Sequence, residues 1–243
     1  MPSSLVVIPT FNEQANIAGM IHAVLALPEQ FNLLIVDDNS PDNTAGTIEQ
    51  LMPQYSSRLF LQKRSGKLGL GTAYISGFKW ALEKNYDYII EMDADFSHKP
   101  SDLPELLKTC MNGADVVIGS RYVKKGRIEN WPLNRILLSK GASLYVRMIT
   151  GMPVKDTTAG FVCYKKEVLQ KIDLDKIKFI GYAFQIELKF AAWKCGFKIC
   201  EIPITFKDRE KGQSKMSKGI FREAVYGVIK MKWKSFANSY AKV

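Results

Sequence analysis

The chain has 243 residues, 47% of them hydrophobic and 24% charged, with a formal net charge of +10. That balance excludes a disordered or low-complexity protein and describes one sizeable folded domain. No apolar run reaches the roughly 18 residues that a membrane span needs, and the opening Pro2-Ser-Ser-Leu5 has neither the charge nor the cleavage pattern of a secretory signal. Cys110, Cys163, Cys195 and Cys200 form no Cys-x-x-Cys pair, and the two histidines, His22 and His98, stand apart from them. Zinc is therefore disfavoured, and reduced thiols in a cytoplasmic setting are expected. From Lys207 onward ten Lys/Arg face three Asp/Glu, an excess that suits a polyanion, an anionic membrane surface or a phosphate-bearing substrate.

Ser4 to Ile8 is a short β-branched run that ends in Pro9-Thr-Phe-Asn-Glu13, as in a strand buried on both faces. Asn12 is placed to cap the following helix, whose apolar positions Ile17, Met20, Ile21, Val24 and Leu25 keep the helical period. Leu33 to Asp37 predicts a second buried strand running into Asp37-Asp38-Asn39-Ser40-Pro41-Asp42. A helix from about Thr44 to Met52 and a strand around Leu59 to Leu61 follow. This β-α-β-α-β order predicts a parallel sheet with right-handed crossovers. The turns lack both the Gly-x-Gly-x-x-Gly and the P-loop patterns, so a nucleotide bound here must rely on carboxylates and a metal. Asp37 and Asp38 read equally well as turn formers or as acceptors for a base or ribose.

Lys63 to Gly71 is a basic, glycine-rich link into a helix over about Thr72 to Lys84, where backbone amides and Lys67 can meet an anion. Tyr88 to Met92 is then a strand that ends in Asp93 and Asp95. Residues two apart on an extended backbone share a face, so both carboxylates lean the same way beyond the strand's carboxyl end, where open α/β sheets bind ligands. Two carboxylates so close call for a shared proton or a hard divalent cation. A helix from about Pro104, with Asp102 and Glu105 as a capping box, leads to a strand over Asp115 to Tyr122 with a basic end. The next helix, about Pro132 to Ile149, puts Arg135 and Ser139 on one face. With Arg121 they suit a phosphate. Phe161 to Tyr164 predicts a strand, Gly181 to Gly196 a helix, and Cys200 to Thr205 a strand at a sheet edge because of Pro203. A basic loop, Phe206 to Lys215, precedes a helix from Ser217 to about Phe236. Phe221, Val225, Val228, Ile229 and Phe236 share one face of that helix, which fits either a membrane interface or a helix packed on its own core.

In order along the chain stand Val-Val-Ile-Pro-Thr-Phe-Asn-Glu13, Val-Asp-Asp-Asn-Ser-Pro-Asp42, Asp-Ala-Asp-Phe-Ser-His98, Gly-Ser-Arg-Tyr122, Asp-Thr-Thr-Ala-Gly-Phe161 and, after Asp208-Arg209, Gly-Gln-Ser-Lys-Met216. This series resembles the family 2 glycosyltransferases of the A-type fold, and among them the dolichyl-phosphate (polyprenol-phosphate) mannosyltransferases. The resemblance implies a Rossmann-like α/β fold with a mostly parallel central sheet flanked by helices. The catalytic domain would span 1–215, followed by a basic amphipathic helix over 216–243. It further implies metal-dependent, inverting transfer of mannose from GDP-mannose to a polyprenyl phosphate. The donor would lie against Pro9, Thr10, Phe11, Glu13, Val36, Asp38, Asp93, Ala94, Asp95, Arg209 and Lys215. Asp93 and Asp95 would hold Mg²⁺ or Mn²⁺, and Asp95, Arg121 and Arg135 would carry the catalysis. The acceptor phosphate would meet Arg121, Arg135, Ser139 and Ser214, with Arg209, Ser214 and Lys215 closing over both phosphate groups. Many relatives carry Gln, a metal ligand, where Ser97 stands. The protein would reach its lipid from the cytoplasmic face as a peripheral protein or through a membrane-anchoring partner. Alternatives are a UDP-sugar donor (glucose or N-acetylglucosamine), a soluble glycan acceptor, or a basic nucleic-acid-binding protein. The last is opposed by the acids at the strand ends and by the lack of any nucleic-acid module pattern.

Overall fold

The computed structural model describes residues 2–181, 183–209, 218–237 and 239–242, with side chains from 226 to 235 in the last helix. The strands are β1 (Ser4–Thr10), β2 (Asn32–Asp37), β3 (Leu59–Lys63), β4 (Tyr88–Glu91), β5 (Val116–Ser120), β6 (Arg127–Glu129), β7 (Val162–Lys165), β8 (Ile199–Pro203) and β9 (Thr205–Lys207). The helices are α1 (Gln14–Leu25), α2 (Thr44–Leu51), α3 (Leu70–Glu83), α4 (Leu103–Met111), α5 (Leu133–Thr150), α6 (Lys166–Lys171), α7 (Ala183–Lys194) and α8 (Lys218–Ala237).

Seven strands form one sheet in the order β3-β2-β1-β4-β7-β5-β8, and β6 pairs with β9 in a small second sheet. The apolar runs alternate between two cores, one on each face, as period-2 side chains must. Leu5, Val7, Leu34, Val36, Ile89, Val116 and Ile118 pack with α3, α7 and the buried side of α8. Val6, Ile8, Leu33, Ile35, Ile90 and Val117 pack with α1 and α4. Strand order reverses between β1 and β4, opening a crevice at their carboxyl ends. Every pairing within β3-β2-β1-β4 is parallel. β7, in contrast, runs antiparallel to both β4 and β5, a reversal that the apolar run Phe161 to Tyr164 does not encode. The sequence placed one strand over Cys200 to Thr205; the chain instead breaks at Ile204 into β8, at the sheet edge as Pro203 suggested, and β9.

Helix starts differ from expectation. Asn12 adopts a left-handed backbone (φ 56°) and α1 begins one residue after Glu13, without a side-chain cap. The Asn12 and Glu13 amides are instead bonded by Ser40 Oγ and Thr44 Oγ1, which tie α1 to the turn after β2. Asp102 makes no capping bond to α4. α5 ends as glycine chemistry predicts, with Gly151 at φ 76° and its N–H bonded to Arg147 O at 2.8 Å. α8 returns to the main body through Val228 and Met231. Beyond it, Tyr240 packs edge-on to Phe190, and its carbonyl accepts the Asp173 N–H.

Gly77 lets α3 approach β1: a Cβ there would lie 2.5 Å from Val7 Cγ1. Alanine gains about 1 kcal/mol of helix propensity over glycine, but overpacking against a stiff strand valine costs about 1–3 kcal/mol. Gly77→Ala is therefore expected to lower stability in urea unfolding, against the direction that propensity alone predicts.

Candidate active site

Two cavities meet at the carboxyl ends of β1, β2 and β4. The first, of 330 Å³, is bounded by Pro9, Thr10, Phe11 and Glu13 after β1, Asp38 after β2, Lys67, Gly69, Leu70 and Ala73 at α3, and Ile180 and Gly181 ahead of α7. The second, of 580 Å³, runs along α5 past Arg121, Trp131, Arg135 and Ser139. Leu70, Asp93, Asp95 and Arg209 line both. Of the residues expected at the donor, Pro9, Thr10, Phe11, Glu13, Asp38, Asp93, Ala94, Asp95 and Arg209 converge on the first cavity. Val36 does not: it is fully buried in the core beneath. Ser214 and Lys215 lie outside the described residues.

The two acids after β2 divide their work. Asp37 is consumed by the fold, accepting from Thr10 Oγ1 at 2.8 Å and from Ser40 N and Oγ at 2.9 and 2.6 Å. Asp38 faces the cavity, and its Oδ1 accepts from Arg64 Nη1 at 2.8 Å. Burial raises its pKa above the usual carboxylate value, opposed chiefly by Arg64. The glycine-rich link closes the far wall. The Gly71 N–H donates to Ile180 O at 2.9 Å, and a Cβ on Gly71 would come within 2.6 Å of Phe179 O. Lys67 Nζ stands 4.7 Å over the Phe11 ring.

β4 ends at Glu91, and Asp93 and Asp95 follow in the turn that separates the cavities. Asp95 Oδ1 accepts the Ser97 N–H at 3.0 Å and Oδ2 pairs with Arg209 Nη2 at 3.0 Å. The Asp93 carboxyl is pushed up to about 7, first by burial in the cleft and then by Asp95, with Arg209 opposing. His98 lies beneath, stacked on Phe161 with ring centroids 4.9 Å apart. Burial depresses its pKa to about 4, so its imidazole is neutral and Nδ1 accepts the Asp93 N–H at 3.5 Å.

The donor set fits a hard divalent cation: two carboxylates open to one space, one of them with a raised pKa that a cation would relieve. Among the described residues no cluster of three or more His, Cys, Asp and Glu forms a ligand set. The protein would thus supply two carboxylates and leave the other positions to phosphate oxygens and water, the usual habit of Mg²⁺.

At the second cavity Arg121 is gripped by Asp156. Nε and Nη2 donate to its two oxygens at 2.7 and 2.6 Å, and the Arg121 backbone N–H adds a third bond at 2.9 Å. Nη2 also reaches Thr158 Oγ1 at 2.9 Å. Arg121 therefore brings its charge to the cavity with its fork already engaged. Arg135 lies 4.0 Å over Trp131 and donates to Asp208 at 3.1 Å. Ser139 follows one turn later on the same wall. Leu137, Leu138, Tyr145, Val146, Ile186 and Val228 make the rest largely apolar. Sequence reading gave no role to Asp156, Trp131, Asp208 or His98. His98, Asp156 and Asp208 stood in the motif series without a role of their own, and Trp131 lies just ahead of α5.

Residues 5–173 match the family model of glycosyl transferase family 2. The chain is 45% identical over 225 residues to a polyprenol monophosphomannose synthase of Mycolicibacterium smegmatis, covering 93% of this chain and 85% of that protein. It is 43% identical to an undecaprenyl-phosphate mannosyltransferase of Micrococcus luteus, covering 93% and 92%. In three dimensions it resembles glucosyl-3-phosphoglycerate synthase of Mycobacterium tuberculosis in complex with phosphoglyceric acid. That match has a TM-score of 0.68 at 16% identity over 96% of this chain and 80% of the other, a likeness of A-type fold alone.

Removing one partner from a buried ion pair leaves an uncompensated charge and typically costs about 3–5 kcal/mol. Asp156→Ala, which strips the fully buried partner from Arg121, is expected to lose stability in that range in urea unfolding.

Proposed function

Because the chain belongs to glycosyl transferase family 2, we propose that this glycosyltransferase moves mannose from GDP-mannose to a polyprenyl phosphate, with inversion at C1. The observation that carries the reading is the junction of the two cavities: a smaller one floored by carboxylates meets a larger, more apolar one with arginines near the join. An acceptor with a phosphate head and an isoprenoid tail matches the second in both respects, whereas a soluble glycan would leave its apolar wall without a partner. The two relatives named for mannosyl transfer to polyprenol phosphates support the same acceptor.

For the donor, Asp38 offers a carboxylate to the base. Guanine presents two N–H donors on one edge and uracil one, which favours guanine. The sugar would then lie over Asp93 and Asp95, with C1 toward Arg135. An acceptor phosphate monoester has a second pKa of about 6 and is largely dianionic at neutral pH, so attack needs no general base, and none is required of the neutral His98. Arg135 and Ser139 orient the attacking oxygen, and Arg121 offsets phosphate–phosphate repulsion through space. The new C1–O bond forms as the bond to the diphosphate breaks, and Arg209 stands beside the departing charge. Asp93 and Asp95 would hold Mg²⁺ or Mn²⁺, which when bound supplies Lewis-acid charge to the diphosphate.

The reading includes peripheral attachment at the cytoplasmic face of a membrane. Among the described residues no helix is long and apolar enough to cross one. Outside the second cavity, however, α5 exposes Leu133, Leu144 and Met148, and Leu137 at its rim, in one stripe flanked by Lys140 and Arg147. α8 exposes Tyr226, Ile229 and Trp233 beside Lys230 and Lys234. Apolar and basic groups so arranged suit an anionic bilayer surface, which extends to α5 a role first expected of the 216–243 segment.

Three outcomes are expected. Labelled mannose should pass from GDP-mannose to a polyprenyl phosphate, with loss of product in EDTA and in Asp95→Asn; transfer only from UDP-sugars would refute the donor. Arg135→Ala should raise the acceptor KM or lower kcat while GDP affinity holds, as titration calorimetry would report. Leu144→Glu/Met148→Glu should weaken binding to phosphatidylglycerol vesicles by at least about tenfold while turnover of a short, soluble prenyl phosphate persists. Sedimentation with vesicles only in the presence of another protein would point to an anchoring partner.

A further inference from the structure

Beneath the junction of the cavities lies a polar cluster that the reaction does not use. Lys189 on α7 is fully buried, and its ammonium is held by oxygens of Thr157, Ala159 and Gln185. Its Nζ donates to Ala159 O at 2.6 Å, Gln185 O at 3.0 Å and Thr157 O at 3.3 Å, with Gln185 Oε1 at 3.4 Å. Glu91, also fully buried, is the acid that chiefly opposes the lowering of the Lys189 pKa, yet burial pushes the Glu91 carboxyl itself up to about 8, with Lys189, Gln185 and Tyr164 opposing. A charge taken wholly out of water is costly unless strongly bonded, and here carbonyl oxygens of the 156–160 loop supply those bonds.

That loop serves the site at both ends. Asp156 holds the Arg121 fork and Thr158 bonds its Nη2. At the other end a Cβ on Gly160 would lie 4.0 Å from Asp93 Oδ2 and 3.6 Å from Gln185 Nε2. The start of the loop is fastened separately, since Glu201 on β8 accepts the Lys155 and Asp156 amides at 2.7 and 3.0 Å. Past that point Lys189 is the side chain that gathers the Thr157 and Ala159 carbonyls.

We propose that Lys189 is a positioning residue for the acceptor side: its buried ammonium draws together the carbonyls of Thr157 and Ala159 and so fixes the loop that aims Arg121. Burial lowers its pKa to about 8, with Glu91 opposing, so the ammonium form is retained at neutral pH. The simpler role, a countercharge for Glu91, predicts a different response to mutation, because it requires the pair to matter only as a pair.

This inference rests on the proposed transfer for its kinetic readout and on amide exchange for an independent one. Glu91→Gln, Lys189→Met and the double variant Glu91→Gln/Lys189→Met would be compared with the wild-type chain. The double variant keeps shape and removes both ionisable groups, so it remains informative if Lys189→Met alone fails to fold. Hydrogen exchange would be followed by mass spectrometry over peptides spanning 155–161, alongside the KM for a short prenyl phosphate and the dissociation constant for GDP. Both Lys189→Met forms are expected to exchange faster over 156–160 and to raise the acceptor KM about tenfold, the scale of a misplaced binding group, with GDP affinity held. Glu91→Gln should resemble wild type in both. Unchanged exchange in the Lys189→Met forms, or loss in Glu91→Gln that the double variant restores, would overturn the proposal. If the wild-type chain transfers no mannose to a prenyl phosphate, the functional reading falls, while exchange over 156–160 still decides the role of Lys189.

Discussion

Two carboxylates one residue apart, at the end of a buried strand and at the meeting point of two cavities, repel each other. Much of the surrounding architecture answers that repulsion. Arg209 pairs with Asp95, the Ser97 amide bonds its other oxygen, and Arg121 sits near enough to lower the Asp93 pKa. His98 is kept neutral, so it accepts a backbone proton from Asp93 without competing for the acids as a cation. The parallel arrangement of β1, β2 and β4 brings these groups together, since it sends three chain segments out at one edge of the sheet.

The two sides of the junction are held in different ways. At the first cavity the groups come from turns immediately after neighbouring parallel strands and are tied turn to turn: Asp37 binds Thr10 and Ser40, and Thr44 accepts the Glu13 amide. At the second the charged groups are held by partners from separate loops and helices. Arg121 depends on Asp156, Arg135 on Asp208, and the loop after Asp156 on Lys189. Arginine charges on that side are thus already balanced by carboxylates, which lowers the cost of burying them but moderates the field they present to an incoming anion.

This difference explains what the sequence revealed. Strands with β-branched runs and the acids at their ends were legible, because a residue one to four positions past a buried strand emerges at the carboxyl edge of the sheet. Asp93, Asp95, Asp38 and Phe11 belong to that class, and so does the shared face of Arg135 and Ser139. Val36 resembled its neighbours in sequence but lies within β2, which is covered on both faces, and is packed into the core. The pairings of Asp156, Asp208 and Lys189 were illegible because their partners lie 35, 73 and about 30 residues away, distances over which no local periodicity carries information. The antiparallel sense of β7 was hidden for the same reason: four apolar residues state burial, not direction.

The placement of β7 has a consequence for the order in which the chain can fold. Strands β3, β2, β1 and β4 are neighbours in the sheet and complete once Glu91 has left the ribosome, whereas β5, made next, pairs only with β7 and β8. Until Val162–Lys165 emerge, the outer edge of β4 is open and β5 has nothing to join, so the second half of the sheet pays its loop-closure cost late. The arrival of β7 closes both gaps at once. The 156–160 loop immediately precedes it, so the segment that aims Arg121 takes its place in the same event that completes the sheet.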